Sequence, residues 1–271
     1  MIRLIALDLD DTLLMPDCTI PSDVISVLQR ADSQYGVRIV IATGRIYPSA
    51  KIYAEQLGTK SHIICYNGAM IREIGKEPLY TAELDPDLIR RIAVFCRERD
   101  LYLQMYHEDR IVVEKICDKT LADPDSKVTD IVEIGDLTKA ELFPSPKMMI
   151  FDAPEKLNQI RRELDHLFSD ELYIATSKEY LLEMMPKGVS KKNTLERYAK
   201  SLGIGRKEIM ACGDNTNDME MVKWAGVGVA VANAVPELKA VVDYVASKER
   251  SYGVAEAVRN LIFKENEKNP E

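Results

Sequence analysis

Four short segments carry side chains whose types and spacing suit chemistry. Asp8-Leu9-Asp10-Asp11-Thr12 sets two carboxylates two residues apart, with a third carboxylate and a hydroxyl directly after them. Thr43-Gly44-Arg45 offers a hydroxyl beside a backbone with no Cβ, which a ligand can approach closely. Lys187-Gly188-Val189-Ser190-Lys191 brings two lysines, and Gly213-Asp214-Asn215-Thr216-Asn217-Asp218 adds two carboxylates separated by amides. Taken singly, each segment also fits a turn or a solvated surface. A calcium loop is excluded at Asp8, because Leu13 and Thr19 stand where its glycine and closing glutamate belong. It is excluded at Asp214 as well, since Thr216 and Met219 replace a ligand and the glycine.

The elements around these segments bring them together. Leu4–Asp8, Val37–Ala42 and Ile63–Tyr66 are almost wholly apolar, the pattern of parallel strands covered on both faces. Between the first two, Ser22–Ser33 reads as a helix, with Val24, Leu28 and Ala31 at helical spacing and Gly36 after it. A second helix is expected over Pro48–Leu57. After Ser190 the same alternation returns. A helix carries Leu195, Tyr198, Ala199 and Leu202, then come a strand at Ile209–Cys212, a helix at Asp218–Trp224, a strand at Val227–Val231 and a closing helix at Val254–Ile262. This series predicts an α/β fold, an open parallel Rossmann-like sheet flanked by helices. Between its halves, a helix at Pro86–Arg99 and strand signals at Leu101–Tyr106, Ile111–Glu114 and Tyr180–Met185 predict an inserted α+β domain. The expected organisation is a core of residues 1–82 and 187–271 and an insert of residues 83–186.

In such a sheet, the loops after the first, second and penultimate core strands all open at the carboxyl edge, where open α/β sheets bind ligands. Asp8, Asp10, Asp214 and Asp218 would then meet Thr43, Asn217 and Lys191. Two unit charges about 4 Å apart interact by roughly 4 kcal/mol at an effective dielectric near 20, so this cluster demands compensating positive charge. Lys191 falls in the first turn of a helix, where a cation needs an anion opposite it. Oxygen ligands with no histidine or thiolate among them select Mg²⁺ over zinc. The group that such a site suits is a phosphate, its oxygens met by metal and lysine and its phosphorus open to attack by a free carboxylate.

Composition narrows the partners. The chain has 271 residues, 46% of them hydrophobic and 30% charged, as in ordinary globular proteins. Its net charge of −8 opposes binding to nucleic acid or an anionic membrane. Five cysteines with no Cys-x-x-Cys pair fit neither a zinc site nor a disulfide framework and read as reduced thiols. The expectation is a cytoplasmic protein, a monomer or small homo-oligomer, with a frayed polar tail at 264–271.

The four segments, in this order and spacing, resemble the motifs of the haloacid dehalogenase-like superfamily: Asp-x-Asp-x-Thr at Asp8, Thr-Gly-Arg at Thr43, Gly-Val-Ser-Lys ending at Lys191 and Gly-Asp-x-x-Asn-Asp at Asp214–Asp218. Asn67-Gly68-Ala69 and the large insertion resemble its Cof-type sugar-phosphatase branch, which carries an α/β cap at this point of the chain. The resemblance spans essentially the whole chain. It implies a Mg²⁺-dependent phosphatase of a small phosphorylated metabolite, in which Asp8 is the nucleophile and Asp10 the acid and then the base. It further implies that Asp8, the Asp10 carbonyl and Asp214 hold Mg²⁺ with Asp218 behind them, and that Thr43, Gly44, Lys191 and Asn217 bind phosphate. Arg45, Asn67 and Lys187 are weaker candidates for the substrate pocket, Lys187 as the second choice for the phosphate lysine. Asp11 stands where many relatives have glycine. The alternatives are a phosphotransferase or phosphomutase with the same nucleophile, and a receiver-like phosphoacceptor. Asp10 and the insertion argue against the receiver, which needs neither a built-in acid and base nor a lid.

Overall fold

The computed structural model describes residues 1–58, 62–176 and 178–264. The polar tail expected at 264–271 lies outside the described residues from 265 onward. The first half of the core contributes strands β1 (Leu4–Leu7), β2 (Arg38–Ala42), β3 (His62–Cys65), β4 (Met70–Glu73) and β5 (Pro78–Thr81), with helices α1 (Ser22–Tyr35) and α2 (Tyr47–Leu57). The insert holds β6 (Leu103–His107), β7 (Arg110–Val113), β8 (Ile131–Glu133), β9 (Met148–Phe151), β10 (Leu172–Ala175) and β11 (Leu181–Pro186), with α3 (Pro86–Arg97), α4 (Asp118–Ala122) and α5 (Pro154–Phe168). The chain closes with β12 (Ile209–Gly213), β13 (Val227–Ala230) and β14 (Tyr244–Val245), and with α6 (Lys191–Ser201), α7 (Met219–Trp224), α8 (Pro236–Lys239) and α9 (Arg250–Val258).

The first sheet runs β14-β13-β12-β1-β2-β3-β4-β5. Its strands from β14 through β3 are parallel. In register, Leu4 faces Ile209 on one side and Arg38 on the other, so β1, β2 and β12 end level and their following loops meet. The apolar runs read in the sequence are buried throughout β1 and β12 because helices cover the sheet, α1 packing on α2 and α9, and α6 on α7. Along α1 the buried residues are Val24, Val27, Leu28 and Ala31, one stripe at helical spacing. Two antiparallel strands, β4 and β5, extend the edge beyond the expected parallel set. They are short and only partly buried, so no apolar run announces them.

The second sheet, β10-β11-β9-β6-β7-β8, is antiparallel except for the β7–β8 pair. Its residues alternate between two faces, as strand geometry requires. Leu103, Met105, Met148, Ile150, Leu182 and Met184 form one core with Ile89 and Ile92 of α3 and Leu157 and Leu164 of α5. The other face, turned toward the first sheet, mixes apolar Met149 and Met185 with fully buried Gln104, Tyr106, Lys147 and Glu183. Folding alone gives no reason to bury four such polar groups, and their placement follows from what lies opposite them.

Candidate active site

The site forms where β1, β2 and β12 end. Asp8 continues β1 by one residue, its amide donating to the Cys212 carbonyl, and the chain then turns sharply with Asp11 at φ +60°. This turn buries Thr12, whose hydroxyl donates to Asp214 Oδ1 at 2.9 Å, so the first and last loops are tied together by side chains 202 positions apart. After β12, Asp218 folds back beneath its own loop, and its Oδ2 accepts from the amides of Asp214 at 3.1 Å and Asn215 at 3.3 Å. Gly213 is required there, because a Cβ would lie 2.5 Å from the Asp218 Cβ.

Lys191 opens α6, capped by the Ser190 hydroxyl, which accepts from the Asn193 amide. The helix is seated by the Asn67-Gly68 turn, with Thr194 donating to the Gly68 carbonyl at 2.6 Å. Gly68 has φ +105°, and a Cβ on it would strike the Ser190 carbonyl at 2.4 Å. From this start the 2% exposed Lys191 donates to Asp8 Oδ1 at 2.6 Å and to Asp218 Oδ1 at 2.8 Å. The anion that its helix position demands is thus two carboxylates. Burial would depress its pKa, but Asp218 and Asp8 raise it well above the ordinary lysine value.

One lysine does not balance the cluster. One carboxylate oxygen each from Asp8, Asp214 and Asp218 lie within 4.8 Å of one another, all three residues buried. Burial, with Asp218 next, pushes the Asp8 carboxyl well up despite Lys191. The same two causes push Asp214 up to about 7 against the Thr12 hydrogen bond. Carboxyls held this far above their range are short of positive charge, and an all-oxygen donor set fits a hard divalent cation.

Asp10 differs. Its carboxylate meets the Arg45 fork, with Nη2 to Oδ1 at 2.7 Å and Nε to Oδ2 at 2.9 Å. Burial would raise its pKa, but the hydrogen bonds and charge of Arg45 hold it below the usual value.

The remaining expected residues divide. Asp10, Gly44, Arg45 and Asn217 line the cavity over Asp8. Thr43 is fully buried under it, with Oγ1 accepting from the Arg45 amide. Asn67 lies behind Gly44, where a Cβ would meet its Oδ1 at 3.0 Å, and its buried side-chain amide has no hydrogen-bond partner among the described residues. Lys187 is a correction to the expectation of a pocket residue. It is exposed, and its Nζ donates to the Ser169 carbonyl at 2.6 Å, because the turn through Gly188 at φ +80° leaves it on the outer side while Lys191 enters the site. Sequence reasoning named no residue of the insert, yet Asp125, Lys147, Lys178 and Glu183 line the same cavity. Lys147 Nζ donates to the Gly44 carbonyl at 2.7 Å and to Glu183 Oε1 at 2.8 Å, which joins the two sheets at the phosphate-loop candidate. In the sequence, Lys147 and Glu183 are polar residues beside apolar runs and look like a wet strand face.

Replacing Asp218 by Ala should strip Lys191 of one partner and leave the buried Asp214 amide and the part-buried Asn215 amide without their acceptor. We expect a loss of about 2–4 kcal/mol in urea unfolding, from the buried ion pair and unsatisfied donors. A stability within about 0.5 kcal/mol of the parent would contradict that role.

The family model for haloacid dehalogenase-like hydrolases matches residues 5–258. A Streptococcus pyogenes protein described as a phosphatase of no stated substrate is 32% identical over 283 residues, covering 97% of this chain and 99% of its own. The 5-amino-6-(5-phospho-D-ribitylamino)uracil phosphatase of Bacillus subtilis is 26% identical over 263 residues, covering 96% and 97%. A solved haloacid dehalogenase-like hydrolase from Bacteroides thetaiotaomicron superposes with a TM-score of 0.85 at 30% identity, covering 97% of this chain and 100% of the other.

Proposed function

The chain belongs to the haloacid dehalogenase-like hydrolases, and from that premise we propose that it is a Mg²⁺-dependent phosphomonoesterase acting on a small phosphorylated metabolite in the cytoplasm, of the Cof-type branch. The observation that carries the reading is the buried meeting of Asp8, Asp214, Asp218 and Lys191 at one sheet edge, with Asp10 two residues beyond the attacking group. A relative whose named substrate is a small phosphorylated molecule supports it. Residues 1–82 and 187–271 are the catalytic core in this reading and residues 83–186 its cap. The net charge of −8 disfavours nucleic acid as substrate, and among the described residues no helix is long and apolar enough to cross a membrane.

Asp8 and Asp214, with the Asp10 carbonyl, would hold Mg²⁺, and Asp218 fixes the loop that presents Asp214. When bound, the ion supplies charge compensation for the carboxylates and the phosphate. Lys191 grips Asp8 by Oδ1, which leaves Oδ2 for attack on phosphorus. As the Asp8 oxygen bonds to phosphorus the ester P–O bond breaks, and the leaving oxygen takes a proton from Asp10. Asp10 then takes a proton from water, whose oxygen bonds to phosphorus as the Asp8–phosphorus bond breaks. The products are an alcohol and inorganic phosphate. Arg45 keeps Asp10 ionised in the form that accepts a proton from water. An entering phosphate dianion raises the pKa of Asp10 by like-charge repulsion, which prepares it to donate.

The test is release of inorganic phosphate from an aryl phosphate by the purified protein with Mg²⁺, and no release with any phosphomonoester overturns the reading. Asp10→Asn separates the steps. It should cost about 10²- to 10⁴-fold in turnover, and more for alkyl phosphates than for aryl phosphates, whose leaving groups need no acid. Equal losses for both, measured as kcat/KM, would remove Asp10 from the acid role.

A further inference from the structure

The cavity that Asp8 lines is lined also by Asp125, one of whose carboxylate oxygens neither the fold nor the mechanism uses. Asp125 is 5% exposed and lines the cavity. It is held by a chain of buried hydrogen bonds. Gln104 Nε2 and the Tyr106 hydroxyl both donate to Asp123 Oδ2, at 2.5 and 2.9 Å, and Asp123 Oδ1 accepts from the Asp125 amide at 3.0 Å. Asp125 Oδ2 accepts from the Ile46 amide at 3.3 Å, across the junction between the two sheets. Its Oδ1 is buried without a hydrogen-bond partner among the described residues. A buried carboxylate oxygen left unpaired costs free energy unless something else binds it.

Neighbouring charge does not answer it. Lys147 is committed to Glu183 and the Gly44 carbonyl. Burial and Asp123 push the Asp125 carboxyl up to about 6, against Lys147 and the Ser49 hydroxyl. At neutral pH it remains chiefly an acceptor, on a residue that lines the same cavity as Asp8, Asp10 and Gly44.

We propose that Asp125 Oδ1 is a specificity-determining acceptor for a hydroxyl or amino hydrogen on the leaving group, so that the substrates are phosphomonoesters of neutral or amino-bearing polyols and not of carboxylic acids. This rests on the phosphatase reading above. A donor on the leaving group pairs the orphan oxygen when the metabolite sits over Asp8. A carboxylate placed there meets a like charge in a buried setting and is rejected. The wall is rigid because the Gln104–Tyr106–Asp123 chain fixes the acceptor before substrate arrives.

The experiment compares kcat/KM for a hexose monophosphate, its amino-hexose counterpart, phosphoglycolate and an aryl phosphate, in the parent and in Asp125→Asn. The parent should prefer the better of the two sugar phosphates over phosphoglycolate by at least about tenfold, and the two sugars separate hydroxyl from amino recognition. In the variant the preference of that sugar phosphate over the aryl phosphate should fall about 10- to 100-fold, and discrimination against phosphoglycolate should shrink. An unchanged sugar-to-aryl ratio in a folded variant overturns the proposal and leaves Asp125 a strut between the sheets. A parent that prefers phosphoglycolate overturns it without any variant. A parent inactive on all four with Mg²⁺ overturns the phosphatase reading and this proposal with it, which separates the two failures.

Discussion

Asp8→Asn should lower turnover of every phosphomonoester by at least about 10⁴-fold, roughly 5 kcal/mol of transition-state stabilisation, while the circular dichroism spectrum stays native. The amide keeps the shape of the carboxylate but cannot attack phosphorus. The fold should tolerate the change because Lys191 retains Asp218 at 2.8 Å. The parent, quenched during turnover, should also yield a phosphorylated chain that the variant does not form. Turnover within about tenfold of the parent would mean that another group attacks.

Removal of metal should have an effect as large. Excess chelator should abolish turnover and Mg²⁺ should restore it, because Asp8, Asp214 and a phosphate dianion cannot share this space with only Lys191 between them. The same charge shortage sets a pH signature. The carboxyls of Asp8 and Asp214 have folded pKa values above their unfolded ones, Asp214 at about 7 against 3.8. Between those values the folded, metal-free chain holds more protons than the unfolded chain, so the contribution of these groups is present at low pH and is lost as pH rises toward 7 and beyond. For Asp214 alone the swing is on the order of 4 kcal/mol. His62, whose pKa is lowered by burial, acts in the opposite sense over part of this range. The clean readout is therefore the rise in melting temperature on adding Mg²⁺, which should be small at about pH 5 and large at about pH 8. Equal rises at both, or full turnover in chelator, would show that the cluster does not depend on a cation.

The limits of reading this chain from its letters show at particular residues. The strand ends that carry Asp8, Thr43 and Asp214 were legible because buried parallel strands are continuous apolar runs, and a short polar motif after each run must lie at the carboxyl edge. Lys191 was legible as a cation in the wrong turn of a helix. The Arg45–Asp10 fork was not, since two residues 35 positions apart say nothing of their rotamers. Strands β4 and β5 escaped for another reason, that these short, half-buried strands at one end of the sheet carry no apolar run and no clean alternation. The closing helix begins at Arg250 and not at Val254, because Gly253 reads as a breaker while the packing requires it: a Cβ there would lie 2.3 Å from the Lys248 carbonyl.

The sequence by itself determined the parallel core, the presence of an insertion and the four motifs that meet at one edge, because local periodicity and the carboxyl-edge rule need no knowledge of distant contacts. Tertiary structure alone decided which lysine enters the site. Lys187 and Lys191 are four residues apart, and a turn at Gly188 sends one to the Ser169 carbonyl and the other to Asp8. It decided too that the inner face of the second sheet is polar for the sake of the first. Gln104, Lys147 and Glu183 stand at positions whose alternation reads as solvent-facing, and they are buried only because the sheet closes over the site, with Asp125 brought beside them from a loop. Side-chain direction along a strand is written locally by a period of two, but what a face turns toward depends on where the whole sheet is carried by its two connections to the core.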